Sequence, residues 1–239
     1  MADSVVPQVR FRDALTALNA LFDNPEDTAQ AFRVVEALSG GHGKRMLARF
    51  RSAAGGRDLL RERPALIERL VDRASLAKLP EESLGRKYLE FLDSEGITAE
   101  GLEQASIEGR NAERHLSADE AFLKDRMRDT HDLWHVVTGY KGDLIGEASL
   151  LAFSFAQTRN PGVGFIAGAA LLRGNEPKVR ALILRGFLRG ARAVWLPPVK
   201  WETLLALPID EVRRRLRIGP PPKYEPFRAP TYLRTMAAA

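Results

Sequence analysis

The residues best suited to chemistry in this chain lie within "RDTHDLWHVVTGYKGDLIGEASLLAFSFAQ", residues 128–157. Two of the four histidines are here, His131 and His135, together with Asp132, Asp143 and Glu147. On a helix each residue turns by about 100°. With His131 at zero, Asp132 falls at about 100° and His135, one turn on, at about 40°. The three side chains can therefore converge on one point. Glu147 follows after "TGYKGDLIG", where glycines permit a tight reversal; a helical hairpin would carry it back across His135. Two neutral imidazoles and two carboxylates suit zinc or another first-row divalent ion, whose charge the acids would neutralise. The competing reading is a pair of interface histidines, each satisfied by a carboxylate. Spacing alone leaves both open.

Helices must position these groups. "DEAFLKDRMRDTHDLWHVVTG" reads as one longer helix ending at Gly139, and "GEASLLAFSFAQTRN" as a helix apolar almost all round, which predicts burial. Upstream, "FRDALTALNALFD" repeats apolar residues at three- and four-residue spacing. "NPEDTAQAFRVVEAL" offers Asn24 as a cap with Pro25 in the first turn. "RPALIERLVDRASL" and "SLGRKYLEFLDSEG" follow, the second stopping at Gly96. Beyond Pro161 come "VGFIAGAALLRG", "EPKVRALILRGFLRGARAVW" and "DEVRRRLRI". No stretch sustains strict alternation and no hairpin signal joins two strands. The expectation is an all-α protein, one multi-helix domain over 1–239, with a proline-rich extended tail from about residue 219.

Composition narrows the chemistry. The 239 residues include no cysteine, so disulfides and thiolate metal sites are excluded and any metal must use imidazole and carboxylate. The net charge of +5 fits an anionic membrane surface or an anionic ligand as well as a nucleic acid. The longest clean apolar run, "VGFIAGAALL", is far shorter than the roughly 20 residues of a spanning helix. "SGGHGK" resembles a phosphate loop, but Arg45 follows the lysine and Leu38 occupies the first glycine position, so His42 reads as an exposed loop residue. "EVRRRLR" is a basic run without interleaved aromatics, which fits a solvated or phospholipid-facing surface better than nucleic acid.

Three known patterns compete for the histidine stretch. A zinc peptidase helix places glutamate after the first histidine, where this chain has the shorter Asp132. A histidine-aspartate phosphohydrolase needs a further upstream histidine, and His115 is the only one nearby. The third fits H-D-x-x-H, eleven residues, then E, as "HDLWHVVTGYKGDLIGE". With "RERPALIERLVDRASLAKLPEESLGRKYLEFL", "RMRDTHDL", "GEASLLAFSFAQTRNP" and "VKWETLLALPIDEVRRRLRIGPPPKY", the sequence resembles the ubiquinone (coenzyme Q) biosynthesis protein 4 family from about residue 30 to 224. It departs in "LPEESLG", where Pro-Gly-Thr more commonly follows Leu-Pro.

The resemblance implies an all-helical fold with a divalent metal, usually zinc, on His131, Asp132, His135 and Glu147. It implies oxidative removal of the ring carboxylate at C1 of a polyprenylated hydroxybenzoate-type precursor, leaving a hydroxyl. Its alternative is a non-catalytic, lipid-binding scaffold of the biosynthetic complex. The expected partners are the prenylated precursor, a membrane surface and other enzymes of the pathway, with a homo-oligomer left open and no nucleic acid. Arg126 and Arg128, just before the ligands, are candidates to steer a substrate carboxylate. Tyr140 and Asp143 are candidate supporting groups, and Gln157 is an odd polar residue on an apolar helix. The first residues lack the basic amphipathic stretch of a mitochondrial leader, so the expected location is a bacterial cytoplasm, peripheral to the inner membrane.

Overall fold

Apolar residues at helical spacing, punctuated by glycine and proline, build helices throughout. The structure is a computed structural model that describes residues 8–25, 27–99, 101, 102, 104, 116–174 and 176–226. In chain order the helices are α1 (Phe11–Asp23), α2 (Thr28–Ser39), α3 (His42–Ser52), α4 (Ala54–Glu62), α5 (Leu66–Val71), α6 (Arg73–Ala77) and α7 (Leu84–Glu95). They continue with α8 (Ala118–Asp129), α9 (His131–Thr138), α10 (Leu144–Thr158), α11 (Pro161–Arg173), α12 (Pro177–Arg192), a short 3-10 turn at Trp201–Thr203, and α13 (Ile209–Leu216). Among the described residues there is no strand, only an isolated bridge between Ser83 and Pro208. The all-helical expectation holds. Residues 219–226 carry no helix, and 227–239 lie outside the described residues.

The chain divides into two compact units, passing between them within α3, after Gly139, after Arg192 and after Pro222. The first unit contains α1, α2, α10, α11 and α12. Ala14, Ala17 and Leu18 of α1 pack with Val34, Ala37 and Leu38 of α2 and Ile166 of α11. Ala152 of α10, Ala167 of α11 and Ile183 of α12 form a second cluster. α10 has no exposed residue along its length, as its largely apolar sequence predicts. Gly186 lets α12 lie directly on α10, for a Cβ there would sit 2.3 Å from the Ser149 carbonyl oxygen. Gln157 is satisfied by this packing: its amide nitrogen donates to the Gly190 carbonyl at 2.6 Å.

The second unit contains α4 to α9, α13 and most of α3. Met46, Leu47 and Phe50 of α3, Leu59 of α4 and Leu123 of α8 form its apolar cluster. The ends of α8 are well specified. Ser117 and Glu120 form a reciprocal capping box at its start, and Asp119 in its first turn pairs with Arg51 and Arg63 at 2.6 and 2.5 Å. Those guanidiniums, Arg51 first, hold the Asp119 carboxyl below its ordinary range.

Two boundaries differ from the sequence reading. The long helix expected up to Gly139 is two helices, with Thr130 between α8 and α9. The Thr130 hydroxyl donates to the Met127 carbonyl at 3.2 Å, a local bond that competes with the helical ladder. α2 begins only at Thr28, so Asn24 and Pro25 precede the helix rather than opening it. Proline withholds the N–H but also disfavours helix at the residue before it, which suits a turn here.

Candidate metal centre

α9 is eight residues long, and its two ends carry the histidines into place. His131 opens the helix with its side chain half exposed, and His135, one turn on, is buried at 1% exposure. Their ring centroids are 4.9 Å apart with planes 74° from parallel, so the pair meets edge to face as the four-residue spacing requires. Phe91 of α7 stacks on His135 at 5.2 Å and 18°. This fixes the imidazole plane and keeps water from that face. Tyr88, one turn earlier on α7, is also buried. Burial, then the negative charges of Asp132 and Asp129, push its phenol far above the ordinary range, so it stays protonated.

The C-terminal end of α9 is pinned from α13. Arg213 donates through Nε to the Val137 carbonyl at 3.1 Å and through Nη2 to the Val136 carbonyl at 3.2 Å. These carbonyls are among the helix-end acceptors that lack an internal partner, and a cation there also suits the helix dipole. The chain leaves through Gly139 at φ 75°, where a Cβ would lie 2.3 Å from Pro221 Cβ. Only glycine meets both demands.

Glu147 occupies the first turn of α10, half buried. Asp143 caps that helix, its Oδ1 accepting from the N–H groups of Ile145 and Gly146 at 3.1 and 3.3 Å. Tyr224 holds the cap: its hydroxyl donates to Asp143 Oδ2 at 2.7 Å and accepts from the Lys141 N–H at 2.8 Å. Burial raises the Tyr224 phenol well above its usual value.

α9 thus presents two imidazoles one turn apart, and Glu147 stands in the first turn of α10; their donor types suit a metal ion. Asp132 faces His131, its Oδ1 lying 3.2 Å from Nδ1. A carboxylate on an imidazole nitrogen orients the ring and raises its basicity. Of the four sequence candidates, Asp132 is the one whose carboxylate rests against an imidazole nitrogen.

The remaining candidates fall elsewhere. Arg126 is 2% exposed and forms a two-pronged pair with Glu202 at 2.8 and 3.0 Å, with a further bond from Nη2 to the Val199 carbonyl at 2.8 Å. Its terminal donors are taken, so the steering role expected of Arg126 is corrected to a structural one. Arg128 pairs with Asp125, one turn back on α8. His42 is not an exposed loop residue; it opens α3 and its Nε2 lies 2.8 Å from the Thr158 carbonyl. His115, the upstream histidine a phosphohydrolase would need, lies outside the described residues. Sequence reasoning missed Phe91 and Arg213. Phe91 was visible as part of the apolar face of α7; nothing local marks Arg213 apart from its basic neighbours.

A helical scaffold with two imidazoles one turn apart, an orienting acid on the same helix and a carboxylate in the first turn of the next defines an all-α protein with a candidate divalent-metal centre. The model of the coenzyme Q (ubiquinone) biosynthesis protein Coq4 family matches residues 7–222, and this chain belongs to that family. It is 32% identical over 177 residues to the mitochondrial ubiquinone biosynthesis protein coq-4 of Neurospora crassa, covering 72% of this chain and 49% of that protein. It is 34% identical over 177 residues to the mitochondrial coq4 protein of Aspergillus clavatus, covering 72% of this chain and 60% of that protein. The chain thus spans about half to three fifths of the length of these curated relatives. A crystal structure from Nostoc punctiforme PCC 73102, which carries a provisional ubiquinone-biosynthesis name, superposes with a TM-score of 0.64 at 23% identity. It covers 89% of this chain and all of the other, a likeness of fold.

Proposed function

We propose that this chain acts in ubiquinone synthesis, and that His131, His135 and Glu147 hold a divalent metal used in oxidative decarboxylation at ring C1 of a polyprenylated hydroxybenzoate-type precursor. The observation that supports the reading is the edge-to-face pair of imidazoles on α9, with Asp132 against His131, in a chain of the Coq4 family. Two imidazoles and one carboxylate, with no cysteine, fit a first-row divalent ion, zinc foremost. Three protein donors also leave a coordination position open, the arrangement of catalytic rather than closed structural sites. When bound, such an ion would supply Lewis acidity toward a phenolate and a ring carboxylate.

The chain's own residues do the rest. Phe91 shields and orients the His135 ring, Asp132 orients His131, and Asp143 with Tyr224 sets the first turn of α10 from which Glu147 projects. Replacing a ring carboxylate by hydroxyl, with loss of carbon dioxide, is a net two-electron oxidation that adds one oxygen atom, so both an electron acceptor and the oxygen, from water or dioxygen, must come from outside the chain. A prenyl tail partitions into lipid, and no described helix is long and apolar enough to cross a membrane. The reading therefore places the chain peripherally on a membrane face, beside other enzymes of the pathway.

A bacterial strain lacking its ring C1 decarboxylation and hydroxylation step tests this. Wild-type protein is expected to restore ubiquinone, measured by mass spectrometry, while Glu147→Ala and His135→Ala leave the carboxylated precursor to accumulate. Equal rescue by all three would remove the metal site from the mechanism. Failure of soluble wild-type protein to rescue would favour the non-catalytic scaffold.

A further inference from the structure

Two basic helices of this chain differ in what their charges do. On α13 the arginines are paired with the helix's own acids. Arg213 pairs with Asp210 at 3.0 Å, Arg214 pairs with Glu211, and Arg215 pairs with Glu211 at 2.7 Å. α12, "PKVRALILRGFLRGAR", carries five cations and no acid at all. Arg180 is spent on the Gly174 and Leu172 carbonyls, and Arg189 lies over the Tyr140 ring at 5.1 Å. Lys178, Arg185 and Arg192 make no ion pair among the described residues, and all three are exposed.

The same face of α12 exposes apolar surface. Leu182, Ile183, Gly186 and Gly190 point into the unit. At about 100° per residue the opposite side gathers Leu184, Leu188 and Ala181, then Arg192, Arg185 and Lys178, within an arc of roughly 120°. Leu184 is 50% exposed and Leu188 48%. Two leucines one turn apart, flanked by three unpaired cations, are a liability on a surface that meets only water.

We propose that this exposed face of α12 is the surface by which the chain docks on an anionic lipid bilayer, Leu184 and Leu188 entering the headgroup region and Lys178, Arg185 and Arg192 meeting lipid phosphates. The inference rests on the peripheral-membrane reading above and assigns it to one helix. Stable attachment of a protein without a spanning segment takes two signals, basic charge and apolar insertion, and this face supplies both. Charge also decides the occupant. A second copy seated face to face by two-fold symmetry would oppose like cations, and a nucleic-acid backbone has no use for the leucines.

Co-flotation of the full chain with vesicles tests the assignment, using phosphatidylcholine alone and an equal mixture of phosphatidylcholine and phosphatidylglycerol, each at low and high salt. Wild-type protein is expected to float with the mixed vesicles at low salt, less at high salt, and little with phosphatidylcholine alone. Leu184→Asp with Leu188→Asp, and separately Arg185→Glu with Arg192→Glu, should each reduce partitioning by roughly tenfold or more. Arg214→Glu with Arg215→Glu makes the same change in net charge on α13 and should largely retain binding. Circular dichroism checks that each variant folds; the charge-reversed pair lies wholly on the surface, so it stays informative if the leucine variants do not. Wild type that floats while both α12 variants float equally well overturns the assignment alone, as does an equal loss from the α13 variant. Wild type that never floats overturns the peripheral-membrane reading and this inference with it. A stable dimer in solution that either α12 variant dissociates would reassign the face to a second copy.

Discussion

At the scale of single residues, position in the packing separates side chains that look alike in sequence. Asp132 and Glu147 are both acids of the histidine stretch, yet one faces an imidazole nitrogen and the other stands in the first turn of α10. Substitution should distinguish them. His135→Ala and Glu147→Ala are expected to lose metal from purified protein, while Asp132→Asn should keep it with an affinity lowered by about 10–100-fold, the usual effect of removing an orienting carboxylate. Elemental analysis and chelator competition measure both; equal metal in wild type and His135→Ala would sink the site. Arg126 makes a different demand. Its guanidinium is buried against Glu202 and the Val199 carbonyl, so Arg126→Ala leaves a carboxylate without its counter-charge. We expect a loss of roughly 3 kcal/mol in stability, read by denaturant unfolding. A change below about 0.5 kcal/mol, typical of open surface, would mean that the pair does not form in solution.

At the scale of elements, α9 is short for its task, and both α9 and α10 are secured by contacts at their ends. α9 is eight residues, well below the length at which an isolated helix persists in water. Arg213 satisfies its last carbonyls. α10 begins at a cap that Tyr224 secures from the segment following α13. Tyr224→Phe keeps the ring and deletes one donor and one acceptor, leaving the Lys141 N–H and an Asp143 oxygen to find water. The expected cost is about 1–2 kcal/mol in stability, together with weaker retention of zinc against a chelator, because the Asp143 cap sets the turn that carries Glu147. Unchanged chelator competition, with only the melting temperature lowered, would confine Tyr224 to a structural role.

At the scale of the whole molecule, metal binding and stability should be linked. A ligand that binds only the folded chain stabilises it by an amount set by its concentration over Kd, about 4 kcal/mol at a thousandfold excess. Stripping with a chelator is therefore expected to lower the thermal midpoint, and stoichiometric zinc to restore it. The His135→Ala protein should unfold at the same temperature with and without zinc. A wild-type midpoint indifferent to zinc would argue that no ion is held by the folded state. The overall charge of +5 likewise hides its distribution: the arginines of α13 pair with its own acids, and α12 holds exposed cations that make no ion pair among the described residues.

Much of this was legible in the residues themselves, because helices are local. Three- and four-residue periodicity located the helices, the largely apolar run of α10 foretold its burial, and the spacing of His131 and His135 on one turn foretold their meeting. The pairing of Glu211 with the arginines that follow it was also within reach, being a one-turn contact. What sequence could not decide was set by partners distant along the chain. The expected continuous helix breaks at Thr130, where a hydroxyl takes a ladder carbonyl. Arg126 looked available for substrate until Glu202, seventy-six residues on, occupied it. Phe91, Arg213 and Tyr224 support the site from α7, from α13 and from the segment beyond it, and no local signal ties them to it. Periodicity states which face of a helix is apolar. Only tertiary packing decides which neighbours cover that face, which buried charges are paired, and which leucines and cations, as on α12, are left facing outward.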